Sequence, residues 1–366
     1  MPTDIYARMR ELSASAAARP DEMRPILLRV TTDLFALHSV HTDEEIRLYE
    51  EMAERLVDAS DDATLTLVAQ KLARCADAPP ALLARLRARG GEAARTILKT
   101  DRTLSWPELR GLAASGGCDE ACAVAARADL DRELTKILAG RPEREVARAL
   151  AANPLAPLAA EDLRLLAARG RDDGLLAAAL LGRGEITLDL LPLFLAANPD
   201  QRAKLLQLTR QAHLSRIGQP DYAQPLPAAQ CQRLEADALR QRRASFAVSL
   251  AELIGCDPMT ARRIVEDENG EALTIAFAAI GLPSETAAHI FLVAFPKISL
   301  SQEIFSRNLK LLEKLPRRDA QRVIAAVAGL STANSGAAAR PAPLRRGPEA
   351  EAGRGAETRH PVADVG

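Results

Sequence analysis

ARADLDRELTKILAGRPEREVARALAANP, residues 126–154, contains the pattern that decides the fold. An Ala-rich segment stops at Asp129. A short turn follows, and a second segment then carries Leu134, Ile137 and Leu138 at helical spacing. The next Ala/Leu run stops at Asn153-Pro154. Asn tolerates turn geometry, and a residue ahead of proline is pushed out of the α region, so Asn153 ends a helix.

Outward from this stretch the same grammar recurs. Helix ends fall at Asp77, Asp101, Asp129, Asn153 and Gly184, at intervals of 24, 28, 24 and 31 residues, with a further one at Asn198-Pro199. The second helices carry Leu82-Leu83-Leu86, Leu109-Leu112, Leu163-Leu165-Leu166 and Leu190-Leu191-Phe194. Each unit reads as a helical hairpin with one apolar stripe, which it can bury only by stacking on its neighbours. The expected outcome is an irregular helical-hairpin solenoid over residues 62–218.

Composition agrees with an all-α fold. The chain has 366 residues, 48% of them apolar but only 3% aromatic, so Leu and Ala must fill most of the core. Both lose little side-chain freedom in a helix. Ahead of the repeats, Ile26, Leu27, Val30, Leu34 and Leu37 mark one buried helical face. Thr42 followed by Asp43, Glu44 and Glu45 marks a capped helix start with acids over the positive dipole end. Residues 1–61 are expected to be N-terminal helices packing on the solenoid.

After the repeats, QPDYAQPLP (219–227) is a Pro-rich break, and 219–229 is read as a linker. Residues 230–330 form a C-terminal helical module: one long helix over 230–253, a helix from Asp257-Pro258 to about Glu266, another over 270–280 stopped at Gly281-Leu282-Pro283, then three more to Ala328. Residues 331–366 are rich in Ala, Gly, Pro, Arg and Glu, with almost no large apolar residue. They are expected to form a disordered tail.

Charge and motifs narrow the function. Lys and Arg total 48 against 49 Asp and Glu, a net −1. Over 77–190 the count is 17 against 17, so a nucleic-acid partner is not expected of the solenoid. No apolar run approaches the roughly 20 residues of a membrane span, and Met1–Arg10 lacks a signal-peptide core. Five scattered cysteines, Cys75, Cys118, Cys122, Cys231 and Cys256, read as reduced thiols in a cytoplasmic protein. Cys118 and Cys122 are four residues apart but lack a second ligand pair. His38 and His41 lack a third ligand type, and His213, His289 and His360 stand apart, so no metal site is expected. Nucleotide-binding glycine motifs and a nucleophile elbow do not occur. Asp172-Asp173 reads as a helix cap. No catalytic residue and no cofactor is assigned.

One segment fits a second reading. SLAELIGCDPMTARRIV (249–265) has the helix–Gly–helix outline of a DNA-reading motif, with Arg262 and Arg263 on the second helix. Its second helix starts on Asp257-Pro258-Met259 rather than on basic residues, so this is the alternative to the leading expectation. That expectation is a non-enzymatic scaffold or adaptor binding a protein or peptide along the repeat surface, in an oligomeric state the sequence leaves open.

The order of elements resembles an uncharacterised domain family found mostly in alphaproteobacteria. The matching residues are Leu34-Phe35, Thr42-Asp43-Glu44-Glu45, Val68-Ala69, Leu72-Ala73, Ala78-Pro79, Leu82-Leu83, Ile97-Leu98, Leu104 and Leu109. The late match is Leu250-Ala251-Glu252-Leu253-Ile254-Gly255 with Gly281-Leu282-Pro283. The resemblance covers roughly residues 20–330 and implies a HEAT-like helical fold with no catalytic residues to carry over. The chain departs from the family pattern at Arg89-Gly90-Gly91, where a short acidic loop would be expected.

Overall fold

The computed structural model describes residues 23–38, 40–214, 226–240 and 242–330, the side chains of His213 and Leu214 excepted. The expected tail at 331–366, most of the linker and the first 22 residues lie outside them. Every described element is helical, with no strand. No described helix is long and apolar enough to cross a membrane.

The N-terminal and central elements are α1 (Arg24–Ala36), α2 (Asp43–Val57), α3 (Asp62–Leu72), α4 (Pro80–Arg89), α5 (Gly91–Thr100), α6 (Trp106–Ser115), α7 (Cys118–Ala125), α8 (Arg132–Ala139), α9 (Arg144–Ala152), α10 (Ala160–Gly170) and α11 (Gly174–Leu181). A 3-10 segment, Leu188–Ala196, follows, then α12 (Pro199–Leu214). The remainder is α13 (Ala228–Leu239), α14 (Arg243–Ile254), α15 (Pro258–Val265), α16 (Glu271–Ile280), α17 (Ser284–Ala294), α18 (Pro296–Ser299), α19 (Gln302–Lys314) and α20 (Arg317–Ala328).

Local chemistry explains the helix starts. Thr42 and Glu45 form the capping box read from sequence: the Glu45 N–H donates to Thr42 Oγ1, and the Thr42 N–H donates to Glu45 Oε2. Asp61, Asp131 and Asp173 each accept the N–H three residues on.

Alternate helices touch. In one layer α1 packs on α3, α3 on α5, α5 on α7, α7 on α9 and α9 on α11. In the other, α2 packs on α4, α6 on α8, α8 on α10, and α10 on the 3-10 segment. The buried apolar side chains form two clusters, one from Leu27 to Ile97 and a larger one from Leu109 to Val327. The larger cluster is continuous from the central helices into the C-terminal ones, because α20 packs on both the 3-10 segment and α16. α16 is the centre of the C-terminal part, with every residue from Ala272 to Ile280 buried.

Two elements depart from the periodicity. Residues 230–253 are not one helix; they fold as α13 and α14, packed on each other. The buried Asp237 carboxylate accepts hydroxyls from Ser249 at 2.6 Å and Ser245 at 3.4 Å. In a single straight helix Asp237 and Ser249 would stand about 18 Å apart, at 1.5 Å per residue. The tertiary bond therefore requires the break. The apolar run Leu190-Leu191-Phe194 forms 3-10 rather than α structure because Pro192 lies inside it and supplies no N–H to an α ladder.

Short helices stacked this way leave many terminal carbonyls, and one device meets several of them. At the end of α7, Arg127 reaches back to the end of α5 and donates to Leu98 O at 2.7 Å and Asp101 O at 2.9 Å. At the end of α9, Asn153 Nδ2 donates to Ala125 O and Arg127 O. After α11, Arg183 donates to Ala151, Asn153 and Ala156 carbonyls. The other layer repeats the device. Arg89 donates to Val57, Asp58 and Ser60 carbonyls, Arg141 to Ala113 O, and Arg169 to the carbonyls of Ala139, Arg141, Pro142 and Glu143. All these bonds link residues 26 to 32 apart, one unit of the row.

Arg127 is 2% exposed, so its loss strands two carbonyls away from water. Arg127→Ala is expected to destabilise the chain by about 3 kcal/mol in urea unfolding. Arg95→Ala, whose side chain is largely exposed beside Glu92, should stay within about 0.5 kcal/mol. Equal effects from the two would remove the carbonyl ladder as a source of stability.

Candidate functional site

Three constellations carry the polar chemistry. The first is the corner between α14 and α15. α14 stops at Gly255, in the left-handed region at φ +78°, where glycine lacks the Cβ clash of other residues. Asp257 then caps α15, accepting the Thr260 N–H at 2.9 Å and the Thr260 hydroxyl at 2.5 Å. The hydroxyl bond, then the backbone bond, hold the Asp257 carboxyl below its usual range. α15 buries Ala261, Ile264 and Val265 and turns Arg262 and Arg263 outward. Arg262 Nε donates to Glu266 at 2.7 Å, and Arg263 Nη1 lies 3.4 Å from Asp172 in the turn between α10 and α11. Both arginines stand against carboxylates, and Arg263 ties the corner to the row.

The second is a histidine–aspartate pair between the end of α1 and the turn after α3. Asp77 Oδ2 accepts the His41 backbone N–H and lies 2.8 Å from His41 Nδ1. His41 Nε2 lies 2.7 Å from Phe35 O. The imidazole stacks on Phe35 at 3.8 Å, Phe35 on Tyr49 at 4.3 Å, and the Tyr49 hydroxyl bonds Thr32. With both ring nitrogens engaged, His41 fastens α1 to the following turn and leaves neither nitrogen free for a substrate. Burial pushes the Asp77 carboxyl up, but the bonds from the His41 ring and backbone outweigh it and hold it below the usual range. Burial also pushes up the Tyr49 phenol.

The third is the joint between the row and the C-terminal part. Arg202, at the start of α12, donates to Asp267 at 2.8 and 3.1 Å, to Glu271 at 3.5 Å and to Leu195 and Ala197 carbonyls. Its guanidinium lies 5.2 Å from the Phe194 ring centroid. Burial pushes the Glu271 carboxyl up, against the pull of Arg202.

The remaining candidates are packing groups. Cys118 is the first residue of α7. Burial, reinforced by Cys118, pushes the Cys122 thiol up to about 12, and burial with Asp257 pushes Cys256 to about 11. Thiols held so high are poor nucleophiles and poor ligands at neutral pH. Among the described residues no group of three or more His, Cys, Asp or Glu side chains is arranged to hold a metal. Asp173 caps α11 and accepts Arg148 at 2.9 and 3.0 Å. A shallow cleft of ≈ 160 Å³ lies between α13 and α14, lined by Arg233, Leu234, Ser249 and Glu252 among others.

Sequence reading found the corner and the turn aspartates but not the arginines that cap carbonyls one unit back. A signal was present: Arg127 and Arg183 lie next to or two residues before the helix-end residues.

The molecule is thus an all-helical protein of alternately packed short helices joined to a C-terminal helical part. The model of a bacterial family, described as an uncharacterised protein conserved in bacteria (DUF2336), matches residues 93–325, more than half of the chain. The chain belongs to that family. No curated protein and no solved structure matches it.

The pH dependence of Asp77 follows from its lowered pKa. A carboxyl depressed in the folded state contributes stability above its unfolded pKa, about 4. That contribution is lost as pH falls through the lower folded value. Asp77→Asn should destabilise the chain by about 2 kcal/mol at pH 7. It should also flatten the loss of stability below about pH 4, read by urea unfolding at several pH values. An unchanged acid slope would show that the pair does not titrate with folding.

Proposed function

We propose that the chain is a non-enzymatic scaffold or adaptor, a HEAT-like solenoid that binds a protein or peptide partner along its repeat surface in the cytoplasm. The observation that carries this reading is the pair of carbonyl ladders. They join α5 to α7, α7 to α9 and α9 to α11 in one layer, and α2 to α4, α6 to α8 and α8 to α10 in the other, at a spacing of 26 to 32 residues. A row fastened unit to unit offers an extended surface of fixed curvature, which is what such folds use to bind partners. The alphaproteobacterial affinity read from sequence belongs to the same proposal.

The surface carries candidate anchors. Leu155 after α9, Leu165 on α10 and Leu175 on α11 are all exposed, on elements that pack against one another. Large exposed apolar side chains contribute to binding when a partner covers them.

Immobilised full-length chain should capture a stoichiometric protein partner from cytoplasmic extract. The combined Leu155→Asp, Leu165→Asp and Leu175→Asp variant should lower that affinity by about tenfold or more with unchanged helicity by circular dichroism. Retention of duplex DNA at physiological salt, lost in the Arg262→Ala, Arg263→Ala variant, would replace the scaffold with a DNA-binding regulator. Turnover abolished by one substitution would replace it with an enzyme.

A further inference from the structure

The two apolar clusters divide at one joint of the row. One ends at Ile97 on α5, and the buried residues of the other begin at Leu109 on α6. Ala94 and Leu98, the remaining buried side chains of α5, belong to neither cluster. The two layers cross this joint in different ways. In one, α5 packs on α7. In the other, α2 packs on α4 and α6 on α8, but among the described residues no such packing joins α4 to α6.

The carbonyl ladder is interrupted at the same place. In the layer of α4 and α6 its donors are Arg89, Arg141 and Arg169, at or just past the ends of α4, α8 and α10. At the end of α6 the chain reads Ala114-Ser115-Gly116-Gly117, which holds no long donor side chain. The Ser115 hydroxyl donates to Gly111 O within α6 itself. A Cβ at Gly116 would stand 2.5 Å from Leu112 O, so no side chain fits there.

The layer of α5 and α7 is fastened instead, and Asp101 is its centre. Arg127 donates to Leu98 O at 2.7 Å and to Asp101 O at 2.9 Å. From the other side, Arg87 of α4 donates to Asp101 Oδ2 at 2.8 Å. The Thr103 N–H and hydroxyl both donate to Asp101 Oδ1. This buried residue is thus held by α4 on one side and by the end of α7 on the other.

We propose that the row is hinged at Asp101. α1 to α5 form one block, and α6 with the helices after it forms the other. The blocks turn about the α5–α7 contact, and the gap between α4 and α6 opens and closes. A joint packed in one layer and unpacked in the other resists separation but not bending, because bending there breaks no apolar core contact and no bond of the ladder. Curvature is fixed within each block by its own core and varies at this joint. A partner lying along both blocks would select one curvature. The hinge is a property of the free chain and does not depend on the scaffold reading.

Spin labels on encoded p-acetylphenylalanine leave the native cysteines in place and test the hinge in the full-length chain. Three pairs of exposed positions are labelled: Ala84 and Ala114 across α4–α6, Ala114 and Lys136 across α6–α8, and Lys99 and Asp119 across α5–α7. Distances are read by double electron–electron resonance at unchanged helicity. The α4–α6 pair should give a distribution about twice as wide as either of the others. A width across α4–α6 no greater than that across α6–α8 would overturn the hinge. An α5–α7 distribution as wide as the α4–α6 one would overturn it too, since the blocks would then separate rather than turn about Asp101.

Discussion

The last turn of every α-helix leaves four carbonyls without an intrahelical partner, and this protein is built largely from helices of eight to thirteen residues. Such helices place a large share of their backbone in their ends. Stacking them buries those ends, and a buried carbonyl without a donor costs about as much as a lost hydrogen bond. The guanidinium group meets the constraint well. It presents several N–H donors in a rigid fork and stays charged, so one side chain serves one to four carbonyls at the negative end of a helix dipole. Arg89, Arg127, Arg141, Arg169 and Arg183 all work this way, with Asn153 substituting once.

The same chemistry continues where the row meets the C-terminal part. Arg202 ties the 3-10 segment to Asp267 and Glu271, and Arg317 donates to Ala279 and Ile280 carbonyls at the end of α16. Gly281 makes the latter approach feasible. Its φ is +76°, and a Cβ there would stand 2.8 Å from Arg317 Nη1. The Gly281 carbonyl in turn accepts the Leu226 N–H, fixing the entry to α13. α16 is buried from Ala272 to Ile280, and its one polar side chain after Glu271, Thr274, donates its hydroxyl to Gly270 O at 2.8 Å.

The three polar constellations are internally paired. In each, the side chains that could do chemistry are committed to one another: His41 to Asp77 and Phe35 O, Arg202 to two carboxylates, Arg263 to Asp172. The corner over 249–265 keeps its helix–Gly–helix outline, with the left-handed Gly255 and the Asp257 cap legible from sequence. The acidic partners of Arg262 and Arg263 change what the outline presents. Glu266 was readable four residues on, whereas Asp172 comes from an element 91 residues away.

The helical class, the capping box at Thr42, the stops at Gly255 and Gly281 and most helix boundaries were determined by the sequence alone. Each depends on residues within one or two turns of each other, so period and cap chemistry suffice. The tertiary structure alone decided that residues 230–253 break into two helices, because the buried Asp237–Ser249 bond outweighs local helix propensity. It also decided that the apolar core divides between Ile97 and Leu109 rather than at the Pro-rich segment. The arginine ladders belong to the same group, though their residues stand in plain view in the sequence. Which carbonyl an arginine reaches depends on how helices 26 to 32 residues apart are stacked, and no local pattern encodes that distance.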